Sequence, residues 1–138
     1  MEHAVEIAAP PERVFPYLVA AEQRLRWMGI LVESEPLEEG RFRDVFLDHG
    51  QRVELEAEVL RHEPPKLLRV RLLGSGFEAT STQMLGETKS GTRLTTVVET
   101  DYTNRLARLA GPLVARRAQR QLEADLAALK ELVEVENR

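Results

Sequence analysis

The 138-residue chain contains no cysteine, which excludes disulfide staples, thiol nucleophiles and thiolate metal ligands. It also lacks a surplus of positive charge. Asp and Glu number 23 against 19 Lys and Arg, for a net charge of -4, and the two signs are interspersed. General nucleic-acid binding needs a basic excess gathered on one face, so it is not expected. No segment approaches the ~18 consecutive apolar residues of a membrane span. Met1-Glu2-His3-Ala4-Val5 lacks the basic head and apolar run of an export signal. A soluble, cytoplasmic protein with no membrane span is the expectation. Catalytic signatures are missing too: there is no phosphate loop, GxGxxG, GxSxG elbow or HExxH. His3, His49 and His62 fall at a strand start and two expected turns, so neither a metal nor a cofactor is expected. Sixteen Arg against three Lys, with two Asn, lean toward a GC-rich or heat-adapted source.

What the chain does have is short strands, punctuated by Pro and Gly, and one long helix. The length suits one domain, residues 1–138, with a core that buries about two-thirds of the unfolded surface. Val5 and Ile7 alternate with Ala4 and Glu6 in a first strand that stops at Pro10-Pro11. A short helix follows, with proline in its first turn, Glu12 at its positive end, and Val14, Phe15 and Leu18 on one face. Ala21–Met28 reads as a second helical turn ended by Gly29, and Ile30–Glu35 as strand.

From Gln51 the odd positions Val53, Leu55, Ala57 and Val59 are apolar, while Arg52, Glu54, Glu56 and Glu58 are charged. One face is therefore core and the other meets water. A turn at His49-Gly50 places Arg43 opposite Glu56 and Arg41 opposite Glu58, turning Phe42, Asp44 and Phe46 inward. A loop at His62–Pro65 would pair Glu58 with Arg69 and Glu56 with Arg71. The three glutamates then read as an exposed salt ladder rather than as acid/base chemistry. Strands over Phe77–Leu85 and Thr92–Tyr102 follow, joined through Lys89-Ser90-Gly91.

The last helix, Asn104 to about Glu134, changes phase. Leu106, Leu109, Ala110 and Leu113 form one stripe; Ala118, Leu122, Leu126, Leu129 and Val133 form another, turned by nearly half a revolution. Gly111-Pro112 lies between them, so a kink or interruption near Arg108–Gly111 is expected. The break either re-aims the helix onto the same sheet or makes Asn104–Gly111 a flap over a pocket mouth. Arg116, Arg117 and Arg120 form a solvated face, or one that meets an anionic group.

A lone helix gripped by one curved antiparallel sheet leaves a hollow between the layers. Its wall is expected from Trp27, Met28, Phe42, Phe46, Leu55, Phe77, Val98, Leu109, Leu113 and Leu122. Thr96, with Thr100, Ser81 and Gln83, offers polar groups on that wall. Asp44 is the candidate for chemistry, because desolvation between Phe42 and Phe46 would disfavour its charged form and suit a general acid or a ligand hydrogen bond; the alternative is a strand-end Asp that reaches water or a local Arg.

The run Ile7-Ala8-Ala9-Pro10-Pro11-Glu12-Arg13-Val14-Phe15, then Trp27, Glu63-Pro64-Pro65 and Gly91-Thr92-Arg93-Leu94, closed by a long helix, resembles the START-like (SRPBCC) superfamily. This is the polyketide cyclase/dehydrase and lipid-transport family. The resemblance spans the chain and implies the α+β helix-grip fold: about seven antiparallel strands curved around the C-terminal helix, with two short helices after the first strand. It also implies a ligand tunnel between helix and sheet, with no universal catalytic residue. Three functions stay open: a carrier or sensor of a small hydrophobic ligand (a lipid, polyketide or isoprenoid-like molecule), an aromatase/cyclase using Asp44 or Tyr102, and an interaction module with a collapsed cavity. No oligomeric state is specified by the pattern.

Overall fold

Pro and Gly punctuation resolves into seven strands and three helices in a computed structural model describing residues 1–138. In chain order these are β1 (Glu2–Ile7), α1 (Pro11–Val19), α2 (Ala21–Trp27), β2 (Leu31–Pro36), β3 (Arg41–Asp48), β4 (Gln51–Glu63), β5 (Leu67–Gly74), β6 (Phe77–Thr88), β7 (Gly91–Tyr102) and α3 (Arg105–Glu136). All strand pairs are antiparallel, in the order β1-β7-β6-β5-β4-β3-β2. This is the α+β helix-grip architecture. The strands adjacent to the two short helices, β1 and β2, form opposite margins of the sheet, and α3 closes the gap on its concave side.

The β3–β4 register is as the turn chemistry requires, with Arg41 opposite Glu58 and Arg43 opposite Glu56. The β4–β5 register is not the one expected. Glu58 faces Arg71, and Glu56 faces Leu73. Pairing runs out to Glu63 and Leu67, which tightens the loop to Pro64-Pro65-Lys66, and the register shifts between Val59 and Arg61. Up to Val59 the slip amounts to two residues, so those side chains keep their faces; beyond the bulge it amounts to three, and His62 turns to the inner face. On the outer face, Arg43 meets Glu54 at 3.1 Å and Glu35 at 3.2 Å, and Arg71 meets Glu58 at 3.2 Å. His62 belongs to β4 rather than to a turn, and its ring lies 5.6 Å from that of Phe15.

The core gathers at one end of the grip. Val14, Phe15 and Leu18 of α1 pack with Leu126, Leu129 and Val133 of α3, over Ile7, Leu85 and Leu94 of the sheet. Gly91 lets β7 close on β1: a Cβ there would collide with the Ile7 carbonyl oxygen, and the backbone φ is +152°. Thr92, fully buried beside it, donates its hydroxyl to the Ala9 carbonyl at 2.7 Å. These two contacts explain the Gly91-Thr92 pair seen in the sequence. Helix side chains also reach the free margin of β1. Lys130 donates to the Glu6 carbonyl at 2.7 Å, Gln119 donates to that of Glu2 at 3.2 Å, and the Ala8 N–H donates to Glu134 at 2.8 Å.

The expected interruption of α3 does not occur. The helix runs unbroken from Arg105 to Glu136 through Pro112, and Asn104 caps it by accepting the Ala107 N–H at 2.8 Å. Gly111 is buried against Tyr102; a Cβ at this glycine would stand 3.2 Å from the ring. The phase change has another cause. The second stripe faces the sheet, whereas Leu106, Leu109 and Leu113 face solvent at 83%, 82% and 66% exposure. No helix is long and apolar enough to cross a membrane.

Candidate functional site

The core fills only the C-terminal half of the space under α3. Beneath the other half lies a cavity of about 350 Å³ between α3 and the concave face, with a lobe of about 120 Å³ adjoining it under α2. Trp27, Met28, Phe46, Leu72, Ser81 and Gln83 line both spaces. The collapsed-cavity expectation is therefore not met. Trp27 is fixed by its indole N–H, which donates to the Tyr17 carbonyl at 2.9 Å. Strand alternation aims Phe42, Asp44 and Phe46 of β3, and Ser81 and Gln83 of β6, to the inside.

Of the residues expected on the wall, Trp27, Met28, Phe46, Thr96, Val98 and Leu122 line the larger space, and Phe42 lines the smaller. Four expectations are corrected. Leu109 and Leu113 project into solvent, because the first stripe of α3 points away from the sheet. Leu55 and Phe77 lie on the concave face but line neither space. They meet over Gly74, where an added Cβ would fall within 2.7 Å of both, so a glycine-sized gap is already filled.

Asp44 takes the second of its alternatives, the local arginine. It is fully buried and lines the smaller lobe, as the alternation implies, but it does not stand alone among apolar groups. Arg24 of α2 pairs with it, with one guanidinium nitrogen on Oδ2 and the other 3.3 Å from Oδ1. The same guanidinium bonds Ser34 Oγ at 3.2 Å and lies 4.9 Å from the centre of the Phe42 ring. A carboxylate held in a fork of this kind is neutralised and oriented. The pairing leaves Asp44 without the unpaired apolar setting that the general-acid reading requires. Tyr102, the other acid considered, packs under Gly111 and lies outside the cavity wall.

Sequence reasoning missed Arg24 and Asp125, and both carried a signal. Arg24, Trp27 and Met28 stand at i, i+3 and i+4, so the arginine shares the inward face. Asp125 interrupts the buried stripe of α3 three residues after Leu122 and one before Leu126. It is 9% exposed and lines the larger cavity. Its Oδ1 accepts the Gly29 N–H at 2.9 Å and the Gln121 amide at 2.8 Å, while Oδ2 has no protein partner. Burial pushes its carboxyl above the usual carboxylate range, against the lowering effect of those two hydrogen bonds.

The opposite wall carries two more unsatisfied groups. Thr96, 2% exposed, and Gln83 are cross-strand neighbours, and neither Thr96 Oγ1 nor Gln83 Oε1 has a hydrogen-bond partner. Each positive charge at the cavity is engaged: Arg24 is tied to Asp44, Arg117, at the rim, lies 3.5 Å from Asp48 and also contacts His49, and the Met1 ammonium donates to the Val98 carbonyl at 3.1 Å. The cavity is thus mainly apolar, with Asp125 Oδ2 and Gln83 Oε1 as open acceptors and the Thr96 hydroxyl able to accept or donate.

A family model described as polyketide cyclase/dehydrase and lipid transport matches residues 1–134. Among solved structures, a protein of Thermus thermophilus superposes with a TM-score of 0.82 at 23% identity, covering 100% of this chain and 99% of that one. A Rhodobacter sphaeroides protein gives 0.76 at 25% identity, over 97% and 91% of the two chains. Ara h 8.0201 gives 0.71 at 14% identity, over 96% and 95%. No curated protein matches the chain by sequence.

Proposed function

The chain belongs to the polyketide cyclase/dehydrase and lipid-transport family, and from that premise we propose that it carries or senses a small apolar molecule bearing a hydrogen-bond-donating group. The observation that carries this reading is the pair of buried, unpartnered polar atoms, Thr96 Oγ1 and Gln83 Oε1, set in an otherwise apolar wall. Folded proteins satisfy nearly all of their buried polar groups, so such a pair is best explained by a partner that the chain itself does not supply. The volume lies near the lower end of the ~300–1,000 Å³ typical of small-molecule sites. Apolar burial at about 25 cal/mol per Å² drives entry, and the polar groups orient what enters.

Asp125 sets the sign of the polar end. Its free Oδ2 accepts and never donates while ionised, and the rim cation, Arg117, is engaged with Asp48 and His49. A hydroxyl or ammonium group suits this wall; the carboxylate of a fatty acid would bury a second negative charge beside the first. A cytoplasmic setting belongs to the same reading, consistent with a cysteine-free chain.

The test is displacement of the neutral fluorescent probe 1-aminoanthracene by decanol, decylamine and decanoate. Decanol or decylamine should displace the probe at concentrations at least about tenfold below decanoate, the factor expected from one lost polar contact. Replacing Asp125 by Asn should narrow that gap. Equal affinity for decanoate would overturn the polarity argument, and failure of the probe and all three ligands to bind would overturn the binding reading itself. Native mass spectrometry of protein purified from its own host then identifies the bound molecule.

A further inference from the structure

Three of the most exposed large apolar side chains in the protein, Leu106, Leu109 and Leu113, recur at i, i+3 and i+7 on the outward face of α3. They are the stripe that the helix turns away from its own sheet. Around them stand Arg105, Arg108, Arg116, Arg117 and Arg120, and no acidic residue occurs from Arg105 to Leu122. Arg117 is engaged at the rim with Asp48 and His49, which leaves four guanidiniums without a carboxylate partner. On a chain whose net charge is -4, this is a local reversal of sign.

We propose that the N-terminal half of α3 docks on an anionic lipid surface through this leucine stripe and its arginines. An apolar ridge flanked by arginine on an otherwise exposed helix is the pattern of interfacial binding: leucines sink to the acyl boundary while guanidiniums stay at phosphate depth. Charge complementarity selects the occupant. A second copy of this chain would bring a net negative charge but also the same arginines to a two-fold contact, placing like charges face to face. The geometry adds a consequence. Val114, half exposed beside the stripe, lines the cavity along with Arg117 and Ala118 from the same turns. Docking therefore sets the cavity entrance next to the lipid. The proposal rests on the helix surface and stands whether or not the ligand reading above is correct.

The experiment is co-sedimentation of the full chain with vesicles of phosphatidylcholine alone, and of phosphatidylcholine containing roughly one-third phosphatidylglycerol. At about 0.1 M salt, binding to the anionic vesicles should be at least about tenfold tighter than to the neutral ones, and it should weaken at about 0.5 M salt. R108Q/R116Q/R120Q should reduce anionic binding about tenfold or more. L106Q/L109Q should reduce it as well, at either salt concentration. These positions are exposed, so thermal melts should remain near that of the parent chain; Leu60→Gln, an exposed leucine on the sheet, should leave binding unchanged. Equal partitioning to both vesicle types, no sedimentation with either, or an unaltered arginine variant would overturn the proposal. So would a dimer in sedimentation velocity that the leucine variant dissociates, because the stripe would then belong to a second copy.

Discussion

Gly29 donates its backbone N–H to Oδ1 of Asp125 at 2.9 Å, tying the segment after α2 to the middle of α3 beside the cavity. The carboxylate is buried, and its pKa is raised chiefly by that burial. In the unfolded chain the proton leaves at the ordinary pH; in the folded one it leaves later. The ionised group therefore costs stability as pH rises from the unfolded value through the folded one, and the cost persists above it. Asp125→Asn retains the acceptor and removes the charge. It should raise the thermal midpoint at neutral pH, and the gain should shrink as pH falls below the ordinary carboxylate range.

A second carboxylate moves the other way. Glu136, bonded to Arg26 at 2.7 Å and also contacting Tyr17, has its pKa lowered to about 2, mainly by the arginine. A lowered value stabilises the fold above the unfolded pKa, and that contribution is lost as pH falls toward the folded one. Carboxyl carbon-13 titration should place the Glu136 midpoint at about 2, and Arg26→Gln should move it upward.

Arg24→Met leaves Asp44 buried and unpaired. Side-chain exposures of 11% and 1% mean that little water is available to replace the lost cation. Urea denaturation should show a loss of about 3–5 kcal/mol. The double variant Arg24→Met/Asp44→Leu should recover most of it, because two apolar groups of similar size need no partner.

Thr96→Val removes a buried hydroxyl that no protein atom satisfies. The ligand-free protein should gain about 1 kcal/mol in the same assay, while affinity for decanol falls severalfold. A gain in stability accompanied by a loss of binding is what separates a ligand contact from a packing residue.

The two stripes of α3 look equally apolar in the sequence and should respond unequally to mutation. Leu129, fully buried, should cost about 2–5 kcal/mol when cut to Ala. Leu109→Gln, at 82% exposure, should change stability by less than about 0.5 kcal/mol.

That contrast marks how far the sequence could be read. The fold was legible because alternation, turn residues and one long helix all point the same way, and the β3–β4 register followed from two turn residues, His49 and Gly50. The β4–β5 register was not legible, since the bulge at Leu60 leaves no compositional trace. Trp27, Phe42, Phe46, Thr96 and Val98 line the cavity because they sit on the inward parity of strands or on the inner face of a helix, which periodicity does encode. Leu55 and Phe77 have that same parity yet lie beyond the cavity's end, a distance that periodicity does not encode. Leu109 and Leu113 depart for a different reason: an apolar stripe does not by itself say which way it faces, and α3 continues unbroken through Pro112 with this stripe outward. Arg24 and Asp125 carry only the signal of their helical spacing, which does not say that a charge on an inward face is buried rather than solvated.

An open sheet has two raw margins, each able to recruit a strand from another molecule. Along β1 the hydrogen-bonding groups of Glu2, Glu6 and Ala8 are already taken by Gln119, Lys130 and Glu134 of the chain's own helix. Along β2 the irregularity after Leu31, the charged Glu33 and Glu35, and the donor-less Pro36 spoil the template. Concentrated solutions of this protein should accordingly resist ribbon-like accretion, which lets the curved sheet stay unclosed and its interior reachable.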